Sequence, residues 1–207
     1  MLTALLALAD SRMPTGGHVH SGGVEDAVTV GLVHDVASLA ALLRTRIRTT
    51  GLVAGSLAAA ACGGADPQRL DTEADARTPS PAQRAASRAQ GRGLLRLARA
   101  TWDGPWDALG ARPHQPVALG VVAAVAGLGP REAALTAVYL TMTGPATAAQ
   151  RLLALDPAAV AACTLQLSGL CDEIAAHALD GLAAASDPAL DLLAERHAAR
   201  TGTLFAS

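Results

Sequence analysis

At Ser80-Pro81, Asp156-Pro157 and Asp187-Pro188 this sequence sets a side-chain acceptor directly before a proline. That pair opens α-helices. The acceptor satisfies a free N–H of the first turn, and proline's fixed φ suits the first helical position, where its missing N–H costs nothing. Apolar residues follow at three- to four-residue spacing, and no segment alternates long enough to read as a strand. The expected fold is all-α: a single-domain bundle over residues 1–207, of about eight to ten helices with short loops punctuated by Pro and Gly.

Other boundaries are read the same way. Asp35 caps a helix through Leu39, Leu42, Leu43 and Ile47 that passes Gly51 and Gly55 and stops at Gly63-Gly64. Ser80-Pro81-Ala82-Gln83 reads as a capping box, hydroxyl at the cap and amide three residues on. Its helix should reach about Trp102 before Gly104-Pro105 breaks it. Pro116 and Pro130 open two more helices, and Gly144-Pro145 is expected to kink or end the second. Asp156-Pro157 leads a helix to about Asp180. Residues 63–80 read as a flexible loop with room for one short helix, and 201–207 as a C-terminal tail.

Composition narrows the function. Apolar residues make up 51% and aromatics 2%, the latter only Trp102, Trp106, Tyr139 and Phe205. The core must be Ala, Leu and Val in close-packed helices, and so apolar a chain is expected to self-associate. All sixteen basic residues are arginine and the net charge is −2, which does not suggest nucleic acid. Cys62, Cys163 and Cys171 lack CxxC spacing, excluding a zinc knuckle; a reducing, cytoplasmic setting is expected. The apolar start at Met1–Ala9 has no basic region before it, and the uncharged stretches 113–130 and 133–150 are broken by Pro and Gly. No membrane role is expected.

No GxSxG, HExxH, GxGxxG or GxxxxGK[ST] pattern occurs, so no catalytic residue is assigned. Three features remain. The glycine-rich stretch ADSRMPTGGHVHSGGVE (residues 9–25) presents His18 and His20 as weak candidate metal ligands, two imidazoles on one side of an extended segment. Ser21 is placed to cap a helix starting near Gly22-Gly23, with Glu25 in its first turn. Arg84, Arg88, Arg92, Arg96 and Arg99 follow one helix face, drifting about 40° per step. They are expected to be a solvated face, or to meet an acidic partner or the acids Asp172, Glu173, Asp180, Asp187, Asp191 and Glu195 of the last helices.

The stretch from Leu8 to Glu25 resembles the N-terminal signature of the urease accessory protein UreF family, an apolar helix, a Pro-x-Gly turn and a Ser-x-Gly-x-Glu helix start. Pro116-Val117-Ala118-Leu119-Gly120 resembles the family's middle segment, Tyr139-Leu140 with Ala148 to Leu152 its Arg-Leu helix, and Arg196-His197 with Leu204-Phe205-Ala206-Ser207 its C-terminal ending. The resemblance implies a non-enzymatic, homodimeric chaperone of nickel-site assembly that works with a UreD/UreH-like protein, the GTPase UreG and apo-urease. It implies no tightly bound cofactor, only nickel passing transiently. The partner surface it implies includes Pro14, His18, His20, Ser21, Gly22, Glu25, Arg151, Arg196, His197, Leu204, Phe205 and Ser207. The rival readings are a small helical metal- or ligand-binding domain using His18 and His20, and a DNA-binding regulator using the arginine face.

Overall fold

A computed structural model describes residues 2–10, 13–14, 20–200 and 204–205. Among these the chain is all-α, as expected. The helices are α1 (Leu2–Leu8), α2 (Val24–Thr29), α3 (Val36–Arg46), α4 (Leu52–Cys62), α5 (Pro67–Ala76), α6 (Pro81–Thr101), α7 (Gln115–Val125), α8 (Pro130–Leu152), α9 (Pro157–Gln166), α10 (Ser168–His177) and α11 (Pro188–Ala198). A wider π turn at Ile47–Gly51 joins α3 to α4, so one rod runs from Val36 to Cys62.

The caps act as the sequence indicates. Asp35 Oδ1 accepts the Ser38 N–H at 2.7 Å while Ser38 Oγ accepts the Asp35 N–H at 3.1 Å. Asp156 and Asp187 accept from Ala158 and Ala189. Ser80 Oγ accepts from Gln83 N at 3.1 Å, but the expected return half of the box does not form. Gln83 instead reaches α11, donating to Leu190 O and Asp191 Oδ1. A tertiary acceptor replaces the local one.

Three further expectations meet the structure. The 63–80 stretch carries a full helix, α5: Asp66 caps it, Pro67 opens it, and Leu70 and Ala74 bury against the core. Pro145 does not end α8, which continues to Leu152. Its missing N–H frees the Thr141 carbonyl four residues back, and Arg46 Nε takes that carbonyl at 3.5 Å. Gly104-Pro105 does break α6, followed by a short 3₁₀ turn at Trp106–Leu109.

α8 is the central rod. Ala133 and Ala137 face one apolar cluster, built on α4 to α7 with Leu57, Leu94, Leu95, Trp106, Leu119 and Val122. Ala134, Val138 and Met142 face the other, built on α2, α3 and α9 to α11 with Leu39, Leu43 and Ile47. The scarcity of aromatics is met by close helix contact. α7 buries every residue from Pro116 to Ala123. The α9–α10 rod, Pro157–His177, has a membrane span's length with a mean hydropathy of 1.2; its inner edge, Val160, Cys163, Cys171 and Ile174, packs into the second cluster.

Candidate functional site

Gly22 and Gly23 lie at φ +60° and +86°, a left-handed pair that turns the chain into α2. Gly23, not Ser21, is the helix cap position; Ser21 is fully buried, and its Oγ accepts the Glu25 N–H at 3.4 Å. The turn aims Glu25 and Asp26 inward against α11. There Glu25 gathers three donors: His197 Nε2 at 2.9 Å, Leu204 N at 2.8 Å and Phe205 N at 3.0 Å. Asp26, 1% exposed, faces Arg200 Nη1 and Arg196 Nε, both at 3.1 Å. Arg151 sits 5.3 Å above the Phe205 ring, in cation–π range.

This seam joins residues from both ends of the chain. Of the implied interface residues, Glu25, Arg151, Arg196, His197, Leu204 and Phe205 meet here. Gly22 is bound to Arg46 instead, Nη1 donating to its carbonyl at 2.7 Å. Pro14 is exposed and His20 half-buried on a cavity wall. His18 and Ser207 lie outside the described residues. Of the Leu204-Phe205 pair, Leu204 is 80% exposed, whereas Phe205 is 7% exposed because Glu25 fixes its backbone inward. Burial works to raise the Glu25 pKa, but the bonds from His197, Leu204 and Phe205 outweigh it and hold the carboxyl below its ordinary value.

The arginine series finds acids, but on α5 rather than on the last helices. Arg88 pairs with Asp71 at 2.9 Å and Asp75 at 2.7 Å and also donates to Arg112 O. Arg84 binds the carbonyls of Thr78 and Pro79, and Arg99 lies 3.5 Å from Asp107. Arg92 and Arg96 are exposed. Asp71 and Asp75 are four residues apart on α5, on one face, a spacing that could have been matched to Arg88.

His114 completes this cluster. Its Nε2 lies 2.8 Å from Asp75 and its Nδ1 3.0 Å from Ser87 Oγ, which also accepts Gln115 N–H. Asp71, Asp75 and His114 present ligand atoms within 4.8 Å of one another, but the Arg88 guanidinium already pairs with both carboxylates. Burial lowers the His114 pKa from 6.5, with Arg88 adding to the effect against Asp75. Neutral His114 thus donates from Nε2 and accepts from Ser87.

The unfolded chain therefore binds a proton at this histidine more readily than the folded one. Stability should be full above pH 6.5 and fall as pH drops through 6.5 toward the lower folded value. Urea denaturation should show this loss from pH 7 to about 5.5, flattened in His114→Gln. Equal slopes in the two proteins would refute it.

Between the clusters, α3, α6, α8 and α11 leave a cavity of about 270 Å³, whose wall includes His20, Arg46, Thr50, His114, Asp187 and Phe205. Asp26, Arg46, Arg200 and the Asp71–Asp75–His114 group were not singled out from sequence. Their partners lie in distant segments, and no short-range spacing marks them.

The fold and site define a class first: an all-helical protein whose buried polar groups tie a glycine turn and the far end of the chain into one seam. The UreF family model matches residues 33–168. Urease accessory protein UreF of Mycobacterium sp. (strain JLS) is 62% identical over 208 residues, covering 100% of this chain and 99% of that protein. Its namesake in Mycolicibacterium vanbaalenii is 62% identical over 211 residues, and that of Mycobacterium tuberculosis (strain H37Ra) 57% over 208, each with 100% and 99% coverage. The chain belongs to the UreF family. It stands among the urease accessory proteins, non-enzymes with a role in urease maturation.

Proposed function

We propose that this chain is the adaptor of nickel-site assembly in urease. As a homodimer in the cytoplasm it binds a UreD/UreH-type accessory protein and brings the GTPase UreG to apo-urease, so that GTP hydrolysis drives nickel insertion. Nickel is cargo that passes transiently; His18 and His20 meet either that cargo or the partner. No nucleic acid or membrane takes part. The observation that carries this reading is the similarity to urease accessory proteins over the whole chain.

The C-terminal end supplies the partner-facing element. Phe205 is the anchor, held by Glu25 and Arg151, and it leaves Leu204 outward as the contact. The glycine turn at Gly22-Gly23 and Arg196 flank it.

The test uses cells that express the urease subunits and the other accessory proteins. Without this chain, urease polypeptide should accumulate normally but lack nickel and activity. The full chain should restore both, and a chain truncated before Leu204 should restore neither and fail to co-purify the UreD/UreH-type protein. Active, nickel-loaded urease in the deletion strain would overturn the proposal. Full rescue by the truncated chain would overturn the role of the C-terminal end.

A further inference from the structure

Arg46 closes α3 with its side chain only 7% exposed. Two carbonyls hold the guanidinium: Gly22 O accepts from Nη1 at 2.7 Å and Thr141 O from Nε at 3.5 Å. Both are released by irregular backbone, the first by the left-handed turn and the second by Pro145. A Cβ at residue 22 would stand 2.9 Å from Nη2, so glycine leaves the space that the guanidinium fills.

What the guanidinium lacks is a carboxylate in direct ion-pair contact, Asp187 acting on it only from further off. Among the described residues no carboxylate stands within ion-pair distance of it, and Nη2 donates to no protein acceptor. Arg46 lines the cavity, and its Nη2 edge is not fully buried. Burial lowers the Arg46 pKa to about 10, with Asp187 acting against it, so the group stays cationic at neutral pH.

The other charged groups of the wall are engaged. Asp187 caps α11 through Ala189 N, and Asp191 accepts from Gln83. Arg77 binds Glu73 and Ala183 O, and His114 is held by Asp75 and Ser87. Asp10 and His20 line it too and have contacts of their own. Thr50, one turn beyond Arg46, also lines the cavity, and its hydroxyl makes no hydrogen bond to the described residues.

We infer that this cavity binds a small carboxylate-type oxyanion on the open Nη2 side of Arg46, with Thr50 as second donor. A guanidinium edge presents N–H groups in the plane and spacing of two carboxylate oxygens, which spherical chloride cannot match. A buried cation with no carboxylate in direct contact is a costly arrangement that such an anion relieves. The cavity admits a ligand the size of formate or acetate without displacing a helix.

The experiment titrates the full chain with sodium acetate against sodium chloride at equal ionic strength, following the melting temperature and the heat of binding. Acetate should raise the melting temperature saturably, beyond chloride. Arg46→Met should abolish that difference, and Arg46→Lys should weaken acetate binding about tenfold, since an ammonium keeps the charge but not the planar fork. Thr50→Val, which leaves Arg46 and its two carbonyls in place, should weaken it about threefold to tenfold, the loss of one hydrogen bond. Acetate no more stabilising than chloride would overturn the inference, as would equal acetate affinity in Arg46→Met. Should Arg46→Met fail to fold, unchanged affinity in both Arg46→Lys and Thr50→Val would overturn it.

Discussion

Glu25→Ala should cost about 3–5 kcal/mol of folding stability, the penalty for breaking a buried, hydrogen-bonded pair by removing one partner. The carboxylate is the acceptor for His197, itself 2% exposed, and for the N–H groups of Leu204 and Phe205. Removing it strands His197 and the Phe205 N–H where water reaches them poorly. The loss should have two parts, a lower urea midpoint for the whole protein and faster amide exchange at Leu204 and Phe205. Glu25→Gln keeps one acceptor oxygen and should lose less. The carboxyl is held below its ordinary pKa of 4.5, so its contribution is complete above that pH and disappears as pH falls through the folded value. Glu25→Ala should therefore be hardly less stable than the parent at the acid end of the profile. A loss below about 1 kcal/mol at neutral pH would show that the seam does not hold the chain end.

Gly120→Ala is the second large effect. In most exposed helix positions that exchange stabilises, by about 1 kcal/mol. At α7 the added Cβ would lie 2.3 Å from Ala58 O, 2.6 Å from Ala61 Cβ and 3.0 Å from Cys62 N. These are mostly main-chain atoms of α4, which cannot rotate away, so α7 and α4 must separate through the middle of the first apolar cluster. The expected net loss is about 2–3 kcal/mol, the upper end of overpacking. Gly144→Ala on α8 is the control. Its Cβ meets nothing within 4 Å, and it should be neutral or gain up to about 1 kcal/mol. Thermal unfolding of the pair decides it. Equal stability of the two variants would mean that α4 and α7 yield without cost.

Helix starts were legible because capping is local. Ser80, Asp156 and Asp187 accept bonds from N–H groups two or three residues away, and proline's ring fixes φ whatever surrounds it. The absence of period-two alternation excluded strands on the same local grounds. α5 was under-read because its polar composition hides a two-residue apolar edge, Leu70 and Ala74, that only the neighbouring helices make meaningful. Of the two outcomes open at Pro145, a kink or an end, the helix does not end there, and Arg46 takes the carbonyl that proline frees.

The site divides along the same line. Resemblance brought forward Glu25, Arg196, His197, Leu204 and Phe205 as separate residues. Their convergence, with His197 172 positions from Glu25, is a product of α2 packing on α11. Which acid meets which base was likewise settled in space, Arg88 turning to α5 rather than α11, and Gln83 leaving its own helix start for Asp191. The sequence by itself determined where helices begin, that nothing but helices forms the core, and, through its ordered motifs, the family. Tertiary structure alone decided which polar groups are buried, because burial and pairing depend on the summed packing of distant segments, and that left Arg46 at a cavity with no carboxylate in ion-pair contact among the described residues.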